Sequence, residues 1–89
     1  MSKFLVLWNL EPAHLGSAAK AILSMPAYAA KLFEQGKLDK RYHIVGRHGG
    51  AWIYNVDSNE ELDRLLAMAP VYNFSRYEVL ALAEMTEPL

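Results

Sequence analysis

The part of the chain with the most candidate functional residues is the segment RYHIVGRHGGAWIYNV, residues 41–56. It places histidines and arginines beside glycines and large aromatic residues. A proton shift next to a carbonyl group needs a base that is unprotonated near neutral pH and a cation that holds the developing enolate. Histidine and arginine suit these two tasks. We therefore take His43, Arg47 and His48 as candidate catalytic residues.

Alternation along the predicted strand indicates where these side chains point. One face carries the cationic side chains and the other the apolar ones: Arg41, His43, Val45 and Arg47 against Tyr42, Ile44 and Gly46. Because the apolar face suits packing on helices, we expect His43 and Arg47 to point toward a cavity. The alternative is that both are solvated edge charges or form salt bridges between subunits. His48 lies in the predicted turn, where a histidine is commonly plain surface.

Aromatic side chains supply the candidate substrate-binding residues, which are Trp8, Trp52, Tyr54, Tyr72 and Phe74. Trp52 and Tyr54 share a face of the next strand, and they line the cavity if Ala51 and Ile53 pack on the helices. Tyr72 and Phe74 follow a proline and are expected to form a lid over the cavity mouth. The alternative is that these rings fill a core or a subunit seam, as aromatic residues usually do.

The elements that must position these residues alternate between strands and helices. Residues 3–10 are apolar on both faces, which is typical of a strand that is covered on both sides. An amphipathic helix follows over residues 18–36, with a kink or break at Pro26 and a C-cap at Gly36. Strands are predicted over residues 38–46 and 50–56, joined by a glycine-rich turn in which Gly46, Gly49 and Gly50 can adopt positive φ.

The second half of the chain has equally clear signals. Ser58 and Glu61 form a capping box ahead of a second helix, which ends at Pro70. The segment SRYEVLAL, residues 75–82, alternates as a final strand. The order β-α-β-β-α-β predicts a single α+β domain over residues 1–89, a ferredoxin-like sandwich.

This topology places both helices on one face of the sheet and leaves the other face open. More than half of the 89 residues, 53%, are apolar or aromatic, which is more than so small a chain can easily bury alone. We therefore expect a homodimer or larger homo-oligomer, in which two sheets close a barrel around a cavity.

Composition narrows the possible partners. The formal net charge is −1, with acidic and basic residues interspersed, so we expect neither nucleic acid nor membrane as a partner. No stretch approaches the roughly 18 apolar residues of a membrane span, which favours a soluble protein. The absence of cysteine favours a cytoplasmic setting. His43 and His48 lack a convergent third ligand, so we predict no metal site.

The segment GRHGGAWIYNVDSNEELDRLLAMAPVYNFSRYEVLAL, residues 46–82, resembles the carboxy-terminal two thirds of the muconolactone delta-isomerase family. The resemblance rests on spacing: Gly46, the strand that ends at Val56, Ser58, Leu62, Pro70 with its following aromatic residues, and the YEV at residues 77–79. It implies a dimeric α+β barrel, often assembled into larger rings. Family members commonly carry arginine in place of His43 and histidine in place of Arg47, so this pair is exchanged here.

The same resemblance implies an isomerase that moves a proton on a small unsaturated lactone or carboxylic acid without cofactor or metal. Two alternatives stay open at this point. One is a cofactor-free cyclase or monooxygenase on an aromatic or polyketide-like substrate, because this barrel carries several chemistries. The other is a non-catalytic ligand-binding or assembly module.

Overall fold

The computed structural model describes residues 1–87 and has the predicted element order. Four strands form one antiparallel sheet in the order β2-β3-β1-β4. Its strands and helices are β1 (Ser2–Leu10), α1 (Leu15–Glu34), β2 (Leu38–His43), β3 (Gly49–Val56), α2 (Asn59–Ala67) and β4 (Ser75–Leu82). Short 3-10 turns occupy Pro12–His14 and Tyr72–Phe74. The ferredoxin-like α+β class is therefore confirmed, while the single domain over residues 1–89 stays a prediction.

The core lies between the two helices and one face of the sheet. Alternate residues of β1 and β3 point into it, and each helix buries one apolar stripe, as an amphipathic helix on a core does. The buried side chains include Phe4, Val6, Trp52, Tyr54 and Val56 from the sheet, and Met25, Ala29, Leu32, Leu62 and Leu66 from the helices. The tight packing of this layer decides which sheet residues can border a cavity.

The faces of β2 and β3 are opposite to those predicted. Arg41 and His43 pair with Trp52 and Gly50 on the helix face, whereas Tyr42 pairs with Ala51 on the open face and is 52% exposed. The expectation that Tyr42 and Ile44 pack on the helices is therefore wrong. The condition that Ala51 and Ile53 pack on the helices is not met, because Trp52 and Tyr54 take that side.

A register shift in β2 explains why Arg41 and His43, and not Tyr42, face the helices. Leu38 pairs with Tyr54, yet Lys40 pairs with Ile53, so one extra residue is inserted between them. An extra residue in one strand reverses the alternation of every residue beyond it. Asp39 sits at this bulge, where it accepts a hydrogen bond from Asn55 at 2.8 Å and pairs with Lys3.

The strand β2 also ends earlier than predicted, at His43. Residues 44–47 form a β-turn in which the N–H of Arg47 donates to the carbonyl of Ile44 at 3.1 Å. Gly46 has a φ of +84°, which suits the third position of a type II turn. Gly49 and Gly50 lie in β3 without positive φ, so only one of the three glycines serves the turn.

The helix α1 runs through Pro26 without the predicted break. Proline has no N–H for the carbonyl four residues earlier, which belongs to Ile22. Gly36, with a φ of +73°, follows the C-cap residue Gln35, as the predicted helix end requires.

The predicted capping of α2 is confirmed. The Ser58 hydroxyl accepts the N–H of Glu61 at 3.1 Å, and the Glu61 carboxylate accepts the N–H of Asp57 at 2.8 Å. Lys37 reaches the same carboxylate at 2.8 Å, and this hydrogen bond lowers the pKa of Glu61. The pair therefore adds stability above the usual pKa of 4.5 and loses it as the pH falls through the lowered value.

The outer face of the sheet is uncovered in the protomer, and it carries apolar side chains with Arg76 and Glu78 near one end. Its exposed or half-exposed apolar side chains include Leu5, Leu7, Ile53, Leu80 and Leu82. Within residues 1–87, no helix combines the length and the apolar character that crossing a membrane requires.

Replacing Ser58 with alanine removes the oxygen that caps α2, and we expect it to lower the free energy of unfolding by about 1 kcal/mol. Urea denaturation followed by circular dichroism measures this difference. Ser17→Ala is the matched control, because Ser17 is exposed in α1 and caps nothing. An equal unfolding midpoint for both variants would show that the cap contributes no stability.

Candidate functional site

A cavity of about 530 Å³ lies between α1 and the β2 side of the sheet. Its size falls in the range of small-molecule sites. Its walls are mainly apolar, with a few polar groups from the sheet. The residues that line it are Trp8, Ile22, Leu23, Met25, Pro26, Arg41, Tyr42, His43, Gly50 and Trp52. This cavity lies within the protomer, and His43, Trp8 and Trp52 border it, whereas the predicted cavity between two subunits stays a prediction.

Strand register brings the polar groups together. His43 pairs with Gly50 across β2 and β3, and Gly50 pairs with Trp8 across β3 and β1. Neighbouring side chains on one face of a sheet lie about 5 Å apart. Because Gly50 has no side chain, the edges of the Trp8 and Trp52 indoles lie over it, and all three residues border the cavity beside His43.

Arg41 lies two residues before His43 in β2, on the same face of the sheet. Its guanidinium carbon lies 5.8 Å from the centre of the Trp52 ring, which is within cation–π range. Arg41 and His43 are exposed, whereas Trp52 is only 3% exposed. The cavity therefore has a cation and an imidazole at its mouth and an aromatic wall inside, an arrangement suited to a flat ligand with an anionic end.

Two indoles meet above Gly50. The rings of Trp8 and Trp52 are 6.3 Å apart and nearly perpendicular, at 83°. A Cβ atom on Gly50 would lie 2.8 Å from Nε1 of Trp8 and 3.0 Å from Nε1 of Trp52. Nε1 of Trp8 is buried and has no hydrogen-bond partner in the part of the chain that the structure describes.

Tyr54 lies behind the cavity rather than in its lining. It is 2% exposed and stacks on Trp52, with ring centres 6.1 Å apart. Burial raises its pKa, so the hydroxyl stays protonated at neutral pH. Its contact with a substrate stays a prediction, while its packing role in the core is visible.

Tyr72 and Phe74 do not border this cavity. The Tyr72 ring lies 5.7 Å from that of Tyr77, and Phe74 borders a separate recess with Glu11 and His14. They do not cover the cavity within the protomer, and a lid over a cavity between two subunits stays a prediction. Whether a substrate touches them is a prediction that the structure leaves untested.

The three candidate catalytic residues are not brought together. Arg47 borders a recess of about 170 Å³ that Leu7 and Glu78 share, on the open side of the sheet. His48 is exposed in the turn, where its backbone carbonyl accepts the N–H of Leu10 at 2.7 Å. Only His43 borders the larger cavity, and the catalytic role of all three stays a prediction.

The sequence pattern missed two residues of the site, Arg41 and Gly50. Alternation had placed Arg41 on the same face as His43, but the cation role was assigned to Arg47, whose position the family resemblance paired with His43. Gly50 was expected in or beside the turn. Among residues 1–87, no three histidine, cysteine, aspartate or glutamate side chains are placed to hold a metal ion.

Replacing Gly50 with alanine should displace both indoles, because the added methyl group would overlap their Nε1 atoms. We expect a loss of about 1–3 kcal/mol in the free energy of unfolding, typical of overpacking, and a changed tryptophan fluorescence spectrum. Gly16→Ala is the control, since a Cβ at that position meets nothing within 4 Å. An unchanged spectrum in Gly50→Ala would contradict this geometry.

Two curated proteins are similar to the chain in sequence. A muconolactone delta-isomerase from Acinetobacter baylyi is 39% identical over 56 residues, which cover 63% of this chain and 58% of that protein. Another, from Cupriavidus pinatubonensis, is 34% identical over 58 residues, which cover 65% and 63% respectively. The chain thus aligns with less than two thirds of the length of these relatives.

Solved structures agree on the fold. A muconolactone isomerase crystal structure superposes with a TM-score of 0.79 at 20% identity, covering 98% of this chain and 94% of that one. A 5-chloro-2-hydroxyhydroquinone dehydrochlorinase from Burkholderia phenoliruptrix, solved with 2,5-dihydroxybenzoquinone, gives 0.77 at 16% identity, covering 93% and 95%. The sequence profile of the muconolactone delta-isomerase family matches residues 7–87. The resemblance seen in residues 46–82 is therefore confirmed, and this chain belongs to the muconolactone delta-isomerase family.

Proposed function

We propose that this protein is an isomerase that shifts a proton on a small unsaturated lactone or carboxylic acid in the cavity between α1 and the sheet. Family membership supports the reaction class. The observation that carries the proposal is the placement of His43 and Arg41 together at the mouth of an otherwise apolar cavity. A volume of about 530 Å³ suits a compact ring better than an extended polycyclic substrate.

His43 is the base of the proposed reaction. Its neutral imidazole removes a proton from the γ carbon of an α,β-unsaturated lactone, and the electron pair of that C–H bond passes into a conjugated dienolate. The imidazolium then returns the proton to the α carbon, next to the carbonyl, which moves the double bond to the β,γ position and regenerates the neutral base. Atoms and electrons balance within the substrate, so the proposed reaction uses neither cofactor nor metal.

Arg41 supplies the cation of the proposed reaction. A guanidinium offers two parallel N–H donors to a carboxylate, and the Trp52 ring beneath it restricts its orientation. The proposal thus keeps the predicted role of His43 and gives Arg41 the role first expected for Arg47. Arg47 and His48 stand outside the cavity and have no part in this step.

His43→Gln should lower kcat about a hundredfold or more, because the variant has no base to take up the proton. Arg41→Lys should mainly raise KM for a carboxylate-bearing lactone, since lysine keeps the charge and loses the paired donors. Steady-state kinetics with muconolactone, followed by ultraviolet absorbance, measures both effects.

His14→Gln is the control for these kinetics, because His14 is exposed in the turn before α1 and lies outside the cavity. Activity should survive chelators and need no added nucleotide or flavin. Wild-type turnover in His43→Gln, with normal folding, would remove the proposed base.

A larger aromatic substrate is the alternative that the indole walls favour, because flat rings pack well on Trp8 and Trp52. The same kinetic assay separates it from the lactone by substrate size. Binding of hydroxynaphthoquinones without turnover of muconolactone would support the cyclase or monooxygenase class. Binding of neither compound would support a non-catalytic assembly module.

We also propose that two copies of the chain associate through their open sheet faces. The supporting observation is the row of uncovered leucines on β1 and β4, which a protomer alone leaves in water. Burying such a face against its copy removes apolar surface from solvent on both sides. The cavity under α1 is on the other side of the sheet, so each protomer keeps its own site.

Leu80→Lys should convert the proposed dimer into a monomer, because it places a charge on the apolar sheet face, where the leucine is 40% exposed. Light scattering at micromolar concentration measures the molar mass. Met68→Lys, at the end of α2, is the control, since Met68 is 64% exposed away from this face. A monomeric wild-type protein would refute the proposed association.

A further inference from the structure

The second half of β4, residues 79–82, is apolar and uncovered on both sides of the sheet. Among residues 1–87, β4 pairs only with β1, so it is an edge strand. The side chains of Val79, Leu80 and Leu82 are 44%, 40% and 42% exposed, and Ala81 is exposed as well. On the helix side, a groove of about 410 Å³ separates α2 from Val79 and Ala81. Neither face of this apolar edge is therefore buried in the protomer.

The opposite edge of the sheet is protected against pairing with another strand. There β2 carries the charged residues Lys40 and Arg41 and the bulge at Asp39, and both features discourage a new partner. The apolar edge contains no charged residue and no proline, and its pairing with β1 is regular. An apolar, regular edge of this kind is a surface on which a further strand can pair.

The hydrogen-bond pattern of the sheet shows which backbone groups of β4 point outward. The N–H of Leu10 donates to the carbonyl of His48 at 2.7 Å, so the even-numbered residues of β1 bond to β3. The odd-numbered residues of β1 then bond to β4, and their partners there are even-numbered, Leu80 among them. The N–H and C=O groups of Val79 and Ala81 consequently point away from the sheet.

We propose that the β4 strands of two copies of this chain pair antiparallel along the apolar edge, with Leu80 on the two-fold axis. In that register Val79 of each copy lies opposite Ala81 of the other, and their outward groups exchange two N–H···O bonds. The two Leu80 side chains lie opposite each other on the open face. The pairing joins the two sheets into one continuous sheet.

Charge complementarity favours this register. With the axis at Leu80, Arg76 of each copy lies opposite Glu84 of the other, and residues directly opposite share a face of the sheet. Arg76 contacts Glu11 in its own chain, yet its side chain stays 82% exposed. A guanidinium has five N–H donors, so it can bind a second carboxylate.

The neighbouring registers lack these ion pairs or add repulsion. An axis at Glu78 would set its two copies opposite each other, and an axis at Ala81 would set Glu78 opposite Glu84. An axis at Val79 forms no ion pair. An axis at Tyr77 would set most of the apolar edge against the 3-10 turn that precedes β4.

This edge contact is distinct from the proposed association of the open sheet faces. Its two-fold axis is perpendicular to the sheet, whereas the axis that relates two packed faces lies parallel to it. Both contacts are thus compatible with one closed tetramer. The inference rests on neither the proposed reaction nor the proposed face contact.

A cysteine cross-link tests the register, because the chain has no cysteine of its own. Leu80 lies opposite its copy in a pair without backbone hydrogen bonds, where Cα atoms are about 4.5 Å apart and a disulfide fits. We expect Leu80→Cys to form a covalent dimer after addition of diamide, measured on a non-reducing gel. Packed sheet faces lie about 10 Å apart, too far for a disulfide, so the cross-link reports on the edge alone.

Leu82→Cys is the matched control for the cross-link. Leu82 lies on the same face and is similarly exposed, but it is offset from its copy by about 13 Å along the strands. It should cross-link at least about tenfold more slowly than Leu80→Cys, because a disulfide needs Cα atoms within about 7 Å.

Charge reversals in the Leu80→Cys chain test the ion pairs. Arg76→Glu should slow the cross-link about tenfold, since it sets like charges opposite each other twice. Adding Glu84→Arg should restore the rate, because it re-forms both pairs. Lys20→Glu, on the exposed side of α1, changes the net charge equally and should leave the rate unchanged.

Amide hydrogen exchange of the wild-type protein gives a readout that needs no variant. The outward N–H groups of Val79 and Ala81 should exchange about a hundredfold more slowly than that of Arg41. The Arg41 N–H is the control, because it points outward from the edge of β2, where Ile44 and Tyr42 bond to β3.

Equal cross-linking of Leu80→Cys and Leu82→Cys, no restoration by Glu84→Arg, or fast exchange at Val79 and Ala81 would each overturn the inference. The proposed isomerase fails separately, through absence of lactone turnover. A rapid Leu80→Cys cross-link without turnover would leave the edge contact standing and remove the isomerase.

Discussion

The close approach of β1 to β3 at the glycine pair 49–50 is the constraint on which the site depends. A Cβ on Gly49 would overlap the backbone carbonyl oxygen of Trp8, so no larger residue fits while the two strands pair there. That pairing places Trp8 directly beside Gly50. The first glycine thus permits the strand contact, and the second makes room for the indoles of Trp8 and Trp52, which lie over it. Both indoles and Gly50 border the cavity.

The bulge at Asp39 determines which side chains of β2 border the cavity. Before the bulge, Leu38 points into the core; after it, Arg41 and His43 point to the helix side. Without the extra residue, Tyr42 would occupy that face, and the cavity would lose both its cation and its imidazole. Asp39 holds the irregular geometry by contacts to Asn55 on β3 and Lys3 on β1. A structural feature at the sheet edge therefore controls the polarity of the site.

These two features also explain what could be predicted from the sequence. Element order, the Ser58 cap and the Gly36 helix end follow from local signals, because the residues involved lie within a few positions of one another. The side that β2 presents could not be predicted by alternation, since the bulge depends on partners that are distant along the chain. At Pro26 the local rule predicts a kink or a break: the break does not occur, because Met25 and Ala29 pack into the core from one continuous α1, and the kink stays a prediction. Local rules thus predicted the elements, and long-range pairing determined the site.

This geometry shows what the exchange of residue types at positions 43 and 47 changes in the protein. Position 43 borders the cavity under α1, whereas position 47 borders a recess on the open side of the sheet. The two positions cannot replace each other, so an exchange changes which group meets the ligand. The resemblance to the family places an arginine where this chain has His43. In the proposed reaction an imidazole there is the base, and the guanidinium must come from another position. Arg41 can supply this guanidinium, because the same bulge turns it toward the same cavity, two residues before His43 in β2.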